Sequence, residues 1–128
     1  MDYILIPFMV MLIKALVLTL LLEAPIIWLG LGVHMPAEEK GKLIVNFLLI
    51  NAITNITLNT CILALGFFLS GPIGWGMVLL AELIIPVIEA WMYSYTTKEF
   101  SMKRLLVVCY LANAVSFLLG SWLLFGWG

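Results

Sequence analysis

Three glutamates lie within long apolar stretches of the sequence: Glu23, Glu82 and Glu89. If these stretches cross a membrane, each charged side chain near the bilayer centre costs about 2.5–3.5 kcal/mol even on the mild, insertion-based scale. Ionisable residues kept at such positions typically pair with other groups or lie on an ion pathway. The carboxyl groups could bind a cation directly, or alternate between protonated and ionised forms.

Polar side chains that could complete such a site recur at three- and four-residue spacing, which places them on one helix face. They form a wide stripe of Asn51, Thr54, Asn55 and Asn59 and a narrower one of Cys109, Asn113, Ser116 and Gly120. Carboxyl, amide and hydroxyl oxygens suit hard cations such as Na⁺, Mg²⁺ or Ca²⁺ rather than copper or zinc. The candidate ion-binding set is Glu23, Asn51, Thr54, Asn55, Glu82, Glu89, Asn113 and Ser116.

Each of these residue types also has a purely structural interpretation. Asn and Thr in membrane helices often hydrogen-bond a neighbouring helix, at about 0.6 kcal/mol per contact. A glutamate can be buried in its neutral form, and the stripe from Cys109 to Gly120 also fits close helix packing. The sequence leaves the structural and the ion-binding interpretations open.

Composition indicates the surroundings of these residues. The chain has 128 residues, of which 65% are hydrophobic and 10% charged, whereas soluble domains average about 25% charged residues. A fold of this length could not hide so much apolar surface from water, so we expect an integral membrane protein whose partner is the lipid bilayer. A net charge of −1 without a basic patch argues against nucleic acid as a partner.

Four apolar stretches are long enough to cross a bilayer, for which a helix needs about 20 residues. They run from Ile4 to Val33, Leu43 to Phe68, Ile73 to Tyr95 and Leu105 to Trp127. Because the stretches are continuous rather than alternating, they predict helices and not a β-barrel. We therefore expect one domain, residues 1–128, forming an all-α bundle of four transmembrane helices.

The first stretch is longer than a bilayer requires, since thirty helical residues cover about 45 Å against about 30 Å of hydrocarbon. Lys14 lies inside it, so the span could begin there. Residues 1–13 would then tilt, kink near Pro7 or lie at the interface. No cationic segment opens the chain, and we expect no cleaved targeting peptide.

The positive charges predict an orientation. Five of the six Lys and Arg residues lie in the first and third connections, and none lies in the second. The positive-inside rule therefore predicts that loops 34–42 and 96–104 are cytoplasmic and that both termini lie outside. The expected location is the cytoplasmic membrane of a prokaryote.

The second and fourth stretches begin alike. Nine residues after Lys42 and after Arg104, each reads Asn-Ala-hydrophobic-hydroxyl, at 51–54 and at 113–116. We interpret the chain as two copies of a helical hairpin, repeat 1 at about 4–69 and repeat 2 at about 72–127. Because each copy has two spans, both share one orientation, which makes the repeat parallel, about an axis along the membrane normal.

Depth indicates which glutamates correspond. The rise per residue of a helix places Glu23, Asn51, Glu89 and Asn113 about 14–16 Å from the cytoplasmic helix ends, near the bilayer midplane. Glu82 lies about 24 Å from that end. Glu23 and Glu89 are therefore the better pair, although the correspondence between the repeats stays open.

The polar positions also follow a known pattern. They read Asn51-Ala-Ile-Thr-Asn55, Glu82, Glu89-Ala-Trp-Met-Tyr93 and Asn113-Ala-Val-Ser116-Phe, followed by Gly120. This pattern resembles a group of small four-span prokaryotic membrane proteins. The resemblance extends over most of the chain through a handful of positions. It implies that the polar residues belong together, and it implies no particular activity.

Two function classes fit these observations. The first is a channel or transporter for a cation (proton, Na⁺ or a divalent ion) bound in a midplane cavity between the hairpins; so small a chain suggests a homodimer or larger assembly. The alternative is a non-transporting scaffold or accessory subunit whose buried polar residues fix helix packing or a partner. An intramembrane enzyme lacks an evident nucleophile, so we expect neither enzymatic activity nor a cofactor.

Overall fold

The structure, a computed structural model, describes residues 2–66 and 71–125. They form four helices, α1 (Asp2–Gly30), α2 (Ala37–Gly66), α3 (Pro72–Thr96) and α4 (Met102–Phe125), and a short 3-10 helix at Gly32–His34. No strand occurs in this part of the chain. Each long helix is long and apolar enough to cross a membrane, which confirms the predicted all-α membrane fold. The predicted ends of the second and fourth spans, Phe68 and Trp127, lie outside the described residues.

The first helix is continuous over its whole length. It passes through Pro7 and Pro25 without ending, as membrane helices can when neighbouring groups satisfy the freed carbonyls. Residues 2–13 therefore belong to the same helix as the rest of the first span. The side chain of Lys14, which follows them, lies on the outer surface of the bundle.

Two other helices begin earlier than the charges suggest. α2 starts at Ala37 rather than near Leu43, since Glu38 and Glu39 occupy its first turn, where acidic side chains interact favourably with the helix dipole. α4 starts at Met102, and the Ser101 hydroxyl caps it by accepting a 3.2 Å hydrogen bond from the Arg104 amide.

The predicted turn at Ser70-Gly71-Pro72 is described from Gly71 onward. Gly71 has a φ of +74°, a conformation that glycine adopts without a steric penalty. Pro72 follows at the first helical position of α3, where its fixed φ suits a helix start.

Each helix packs against two neighbours: α1 and α3 each contact both α2 and α4. The short connections make successive helices antiparallel. The buried apolar residues concentrate in the half of the bundle that carries the connections 31–36 and 97–101, and we call them the apolar core: Ile27, Leu31, Met35, Leu43, Phe47, Ile50, Ala90, Tyr93, Leu105, Val108, Cys109 and Ala112. Large hydrophobic side chains cover the outer surface, as lipid contact requires.

α1 and α4 approach each other closely at Gly30. A Cβ atom on this residue would lie 2.7 Å from Cγ2 of Val108. The Gly30 carbonyl, left without an intrahelical partner at the helix end, accepts two hydrogen bonds from the Arg104 guanidinium, at 3.1 Å from Nε and 3.0 Å from Nη2. Arg104 therefore connects α4 to the end of α1, in addition to contributing one of the positive charges that predict the orientation.

This close approach predicts that Gly30→Ala destabilises the bundle, by about 1–3 kcal/mol, because the added methyl group would overpack the contact with Val108. Gly120→Ala is the matched control on the same helix pair. A Cβ there would lie 3.9 Å from Leu18 and Leu22, an ordinary contact, and alanine favours a helix over glycine. Thermal unfolding of both variants in detergent, followed by circular dichroism, tests this. Equal midpoints for the two variants would contradict the assigned contact.

Candidate functional site

The half of the bundle away from the apolar core contains a cavity of about 1100 Å³. Its lining includes Gly71 and Trp75 at the α2–α3 end of the bundle, which we call the mouth. All eight residues of the predicted ion-binding set line this cavity: Glu23, Asn51, Thr54, Asn55, Glu82, Glu89, Asn113 and Ser116. The structure thus brings together residues that lie far apart in the sequence and come from all four helices.

The deepest polar residues of the cavity border the apolar core and form a buried layer. We call this layer the polar floor; it consists of Glu23, Asn51, Thr54, Glu89 and Asn113, all buried. Every helix contributes to the floor, and α2 and α4 contribute their Asn residues. The two glutamates and the two asparagines, which the sequence predicts at a common depth, therefore all belong to the polar floor.

Glu89 is the hydrogen-bonded centre of the polar floor. Its Oε1 atom lies 2.7 Å from the Thr54 hydroxyl on α2, and its Oε2 atom accepts a 2.6 Å hydrogen bond from the Asn113 amide on α4. Only 3% of the Glu89 surface is exposed, so both contacts are shielded from solvent. They connect three of the four helices at one point.

The Thr54 hydroxyl can serve either protonation state of Glu89. Its Oγ1 atom lies 2.9 Å from the carbonyl oxygen of Ile50 and 2.7 Å from Glu89, yet a hydroxyl carries a single proton. When Glu89 is ionised, the hydroxyl donates to the carboxylate. When Glu89 is protonated at Oε1, the carboxyl donates to Oγ1 and the hydroxyl donates to Ile50. The pair can therefore gain or lose a proton without losing its hydrogen bond.

Glu23 and Asn51 differ from this arrangement because each has an oxygen without a hydrogen-bond partner among the described residues. These atoms are Oε2 of Glu23 and Oδ1 of Asn51, and both residues are only 1% exposed. The Asn51 amide donates instead to the Phe47 carbonyl at 3.0 Å, and Ser116 interacts with the Glu23 carboxyl. Buried polar atoms without partners are rare, and such an atom typically has a catalytic role or binds a water molecule or an ion.

The buried faces of α2 and α4 match at a constant offset of 62 residues. Four buried positions correspond: Leu43 with Leu105, Phe47 with Cys109, Ile50 with Ala112 and Asn51 with Asn113. The two asparagines also make the same local contact, since each donates to the carbonyl four residues earlier at 3.0 Å.

A second constant offset, of 66 residues, relates α1 to α3. The buried residues Glu23, Ile27 and Leu31 correspond to Glu89, Tyr93 and Thr97. With this register Glu23 corresponds to Glu89, whereas Glu82 is half-buried and lies seven residues nearer the mouth. The depth argument from the sequence favours the same pair.

The cavity wall contains a polar cluster that the sequence reveals only in part. The Asn59 amide donates to the Asn55 side chain at 3.0 Å, and the Asn55 amide donates to the Thr19 hydroxyl at 3.0 Å. Thr19 lies one helical turn before Glu23 on α1, but the predicted set does not include it because it forms no stripe of hydroxyl or amide residues there. Tyr93, fully buried next to the floor with an unpartnered hydroxyl, was also missed; its position one helical turn after Glu89 is the signal that could have found it.

Within residues 2–66 and 71–125 no group of three or more His, Cys, Asp or Glu side chains is placed to hold a metal ion. The chain matches no protein-family model, no curated protein and no solved structure. The resemblance to small four-span prokaryotic membrane proteins therefore stays a prediction.

The hydrogen bonds of the floor predict that Thr54→Val lowers stability, because it leaves Oε1 of Glu89 buried without this partner, at about 1–3 kcal/mol. Thr54→Ser keeps the hydroxyl and should stay close to wild type. Thermal unfolding in detergent measures both variants. Loss of stability in Thr54→Ser as large as in Thr54→Val would mean that the methyl group, and not the hydrogen bond, matters.

Proposed function

We propose that this chain is a small integral membrane transporter or channel for a cation, with a proton, Na⁺ or a divalent ion as cargo. The observation that carries the proposal is the pair of unpartnered buried oxygens, on Glu23 and Asn51, in the polar floor of a cavity that extends to one end of the bundle. Both atoms belong to side chains that line the cavity, where a bound cation would give them a partner. Carbonyl and carboxylate oxygens are the ligands that hard cations prefer.

The two glutamates take different roles in this proposal. Glu23 would bind the cation, since one of its oxygens has no partner. Glu89, whose oxygens both have partners, would release its proton into the cavity and regain it from there, while the Thr54 hydroxyl turns so that its hydrogen bond to Glu89 is kept. Because the two carboxyl groups repel each other when both are ionised, a cation bound at Glu23 would offset this repulsion and favour the ionised form of both. Cation binding and proton release are thereby coupled.

The apolar core supports a transporter rather than a permanently open channel. Buried side chains such as Leu31, Leu43 and Leu105 occupy the bundle beyond the polar floor. The cavity reaches the mouth at one end and ends at the polar floor, so passage to the other side would need these side chains to rearrange. A homodimer or larger assembly stays part of the proposal, since Thr57 and Thr60 lie on the outer surface of α2, where a second copy could meet them.

We also propose that the chain consists of two parallel copies of a helical hairpin, about 4–69 and about 72–127. The constant offsets of buried positions between α1 and α3 and between α2 and α4 support it. So does the contact between the hairpins in which the Thr54 hydroxyl of the first meets Glu89 of the second, since Ser116, the residue that corresponds to Thr54 at the 62-residue offset, lines the same cavity as Glu23. A pseudo-two-fold axis along the membrane normal would pass through the polar floor.

A non-transporting scaffold is the second candidate, favoured by one observation. Glu89 joins α2, α3 and α4 through Thr54 and Asn113, which is what a residue that fixes helix packing would do. In a scaffold, loss of the carboxylate would weaken the bundle and leave no transport to lose.

Flux measurements separate the two candidates. Glu23→Gln should lower cation affinity about tenfold or more, because a charge-assisted ligand contributes about 1.5–3 kcal/mol. Glu89→Gln should remove proton coupling while cation binding persists. Proteoliposomes loaded with a pH-sensitive dye, and assayed in parallel with radioactive Na⁺ and with Mn²⁺ and a quenchable dye, report all three cargoes.

The matched control is Glu99→Gln, which removes a carboxylate from the exposed α3–α4 connection and should leave flux unchanged. Flux that is the same in wild type, Glu23→Gln and Glu89→Gln would overturn the proposed roles. If the wild type shows no flux, and the two Gln variants have a lower unfolding midpoint than the wild type, the scaffold is favoured.

The proposed orientation, with loops 34–42 and 96–104 in the cytoplasm of a prokaryote and both termini outside, puts the mouth on the outer face. Cys61 is exposed and lines the cavity, whereas Cys109 is buried. A membrane-impermeant maleimide should therefore label Cys61 in intact bacteria, and Cys61→Ser should abolish the label. Labelling that appears only after the membrane is permeabilised would reverse the orientation.

A further inference from the structure

The cavity is much larger than an inorganic cation needs. Its volume of about 1100 Å³ compares with about 30 Å³ for one water molecule in the liquid. Cavities of about 300–1,000 Å³ typically hold drug-sized organic ligands. Most of the wall between the polar floor and the mouth is apolar, and its large side chains include Leu18, Leu58, Val78, Ile85 and Phe117. Such a wall neither hydrates nor coordinates an ion, but it suits an apolar body.

The charges of the cavity have a single sign. Among the described residues, its ionisable carboxyl groups are Glu23, Glu82 and Glu89, and no Lys, Arg or His lines it. A ligand of this cavity is therefore selected for positive charge at the floor and for apolar surface along the wall. These two requirements together describe an amphipathic cation.

We infer that the cavity binds a primary organic ammonium compound with an apolar body, its ammonium group on the floor oxygens Glu23 Oε2 and Asn51 Oδ1 and its body along the wall. A primary ammonium has three donors and no acceptor, which matches the two unpartnered acceptors of the floor, both on side chains that line the cavity. A quaternary ammonium has no N–H donor and would leave both oxygens unsatisfied. Such a compound is the class of cargo that we assign to the proposed function. Its transport rests on that function, whereas its binding does not.

Binding is measured on the full chain in lipid nanodiscs by isothermal titration calorimetry, with empty nanodiscs as the blank for partitioning into lipid. The probe is 4-phenylbutylamine. Two comparators dissect it: 4-phenylbutanol keeps the body without the charge, and methylammonium keeps the charge without the body. We expect saturable binding of one amine per chain, and binding at least about tenfold weaker for each comparator.

Variants locate the two ends of the ligand. Glu23→Gln should weaken amine binding about tenfold or more, while Glu99→Gln leaves it unchanged. Ala81→Trp, on the cavity wall in α3, fills the space of the body without changing a charge, and should also weaken binding. In wild type, 4-phenylbutylamine should slow maleimide labelling of Cys61, and 4-phenylbutanol should not. The thermal unfolding midpoint of each variant in detergent reports whether its bundle is still formed.

Equal affinity for the amine and the alcohol, or amine binding that Glu23→Gln leaves unchanged, would overturn the inference. Failure of the proposed function looks different. Flux of Na⁺, Mn²⁺ or protons without amine binding would remove the organic cargo alone. Amine binding without any inorganic flux would support the inference and remove the inorganic cargo.

Discussion

A carboxyl group inside a bundle of apolar helices must find hydrogen-bond donors within the protein, and the contacts of Glu89 meet this requirement. Lipid provides no donors, and it provides no hydrophobic force that would press one helix on another. The helices of a small bundle therefore depend on packing and on polar contacts to fix how far each is displaced along its neighbour. Glu89 takes one contact from Thr54 and one from Asn113, which aligns α2, α3 and α4 at a single depth.

This alignment divides the bundle into two unlike halves. On one side of the polar floor, residues such as Leu31, Tyr93 and Leu105 fill the centre. On the other side, the polar residues of α2 bond laterally instead of across the bundle, since Asn59 bonds Asn55 and Asn55 bonds Thr19 on the adjacent helix. Their side chains stay on the wall, and the centre is left as a cavity.

The sequence predicts the helices and the membership of the site better than it predicts the contacts within the site. The spacing of Asn51, Thr54 and Asn55 fixes a common helix face, and helical rise gives Asn51 a common depth with Glu23, Glu89 and Asn113. These residues can therefore be grouped from the sequence, whereas the same rise puts Glu82 at a different depth. Which carboxyl group is hydrogen bonded could not be predicted. That choice depends on the rotation of each helix about its own axis, which residue spacing on one helix leaves undetermined.

The start of α2 shows a different limit of sequence reasoning. The charges of the sequence predict that the second span begins near Leu43, yet Glu38 and Glu39 lie inside α2 and stabilise its first turn. A charge excludes a residue from the centre of the bilayer but does not exclude it from a helix.

The difference between Glu23 and Glu89 has consequences that a symmetric site would not have. If the hairpins are copies, as proposed, then the same pattern of glutamate, asparagine and hydroxyl occurs twice around the floor. In one copy the Asn113 amide donates one hydrogen bond to the Cys109 carbonyl of its own helix and another to Glu89. In the other copy the Asn51 amide bonds its own helix, and one oxygen each of Asn51 and Glu23 has no donor. Glu89 thus joins three helices through its hydrogen bonds, whereas Glu23 and Asn51 each keep one acceptor atom without a donor among the described residues. The proposed binding of a positively charged ligand depends on this difference.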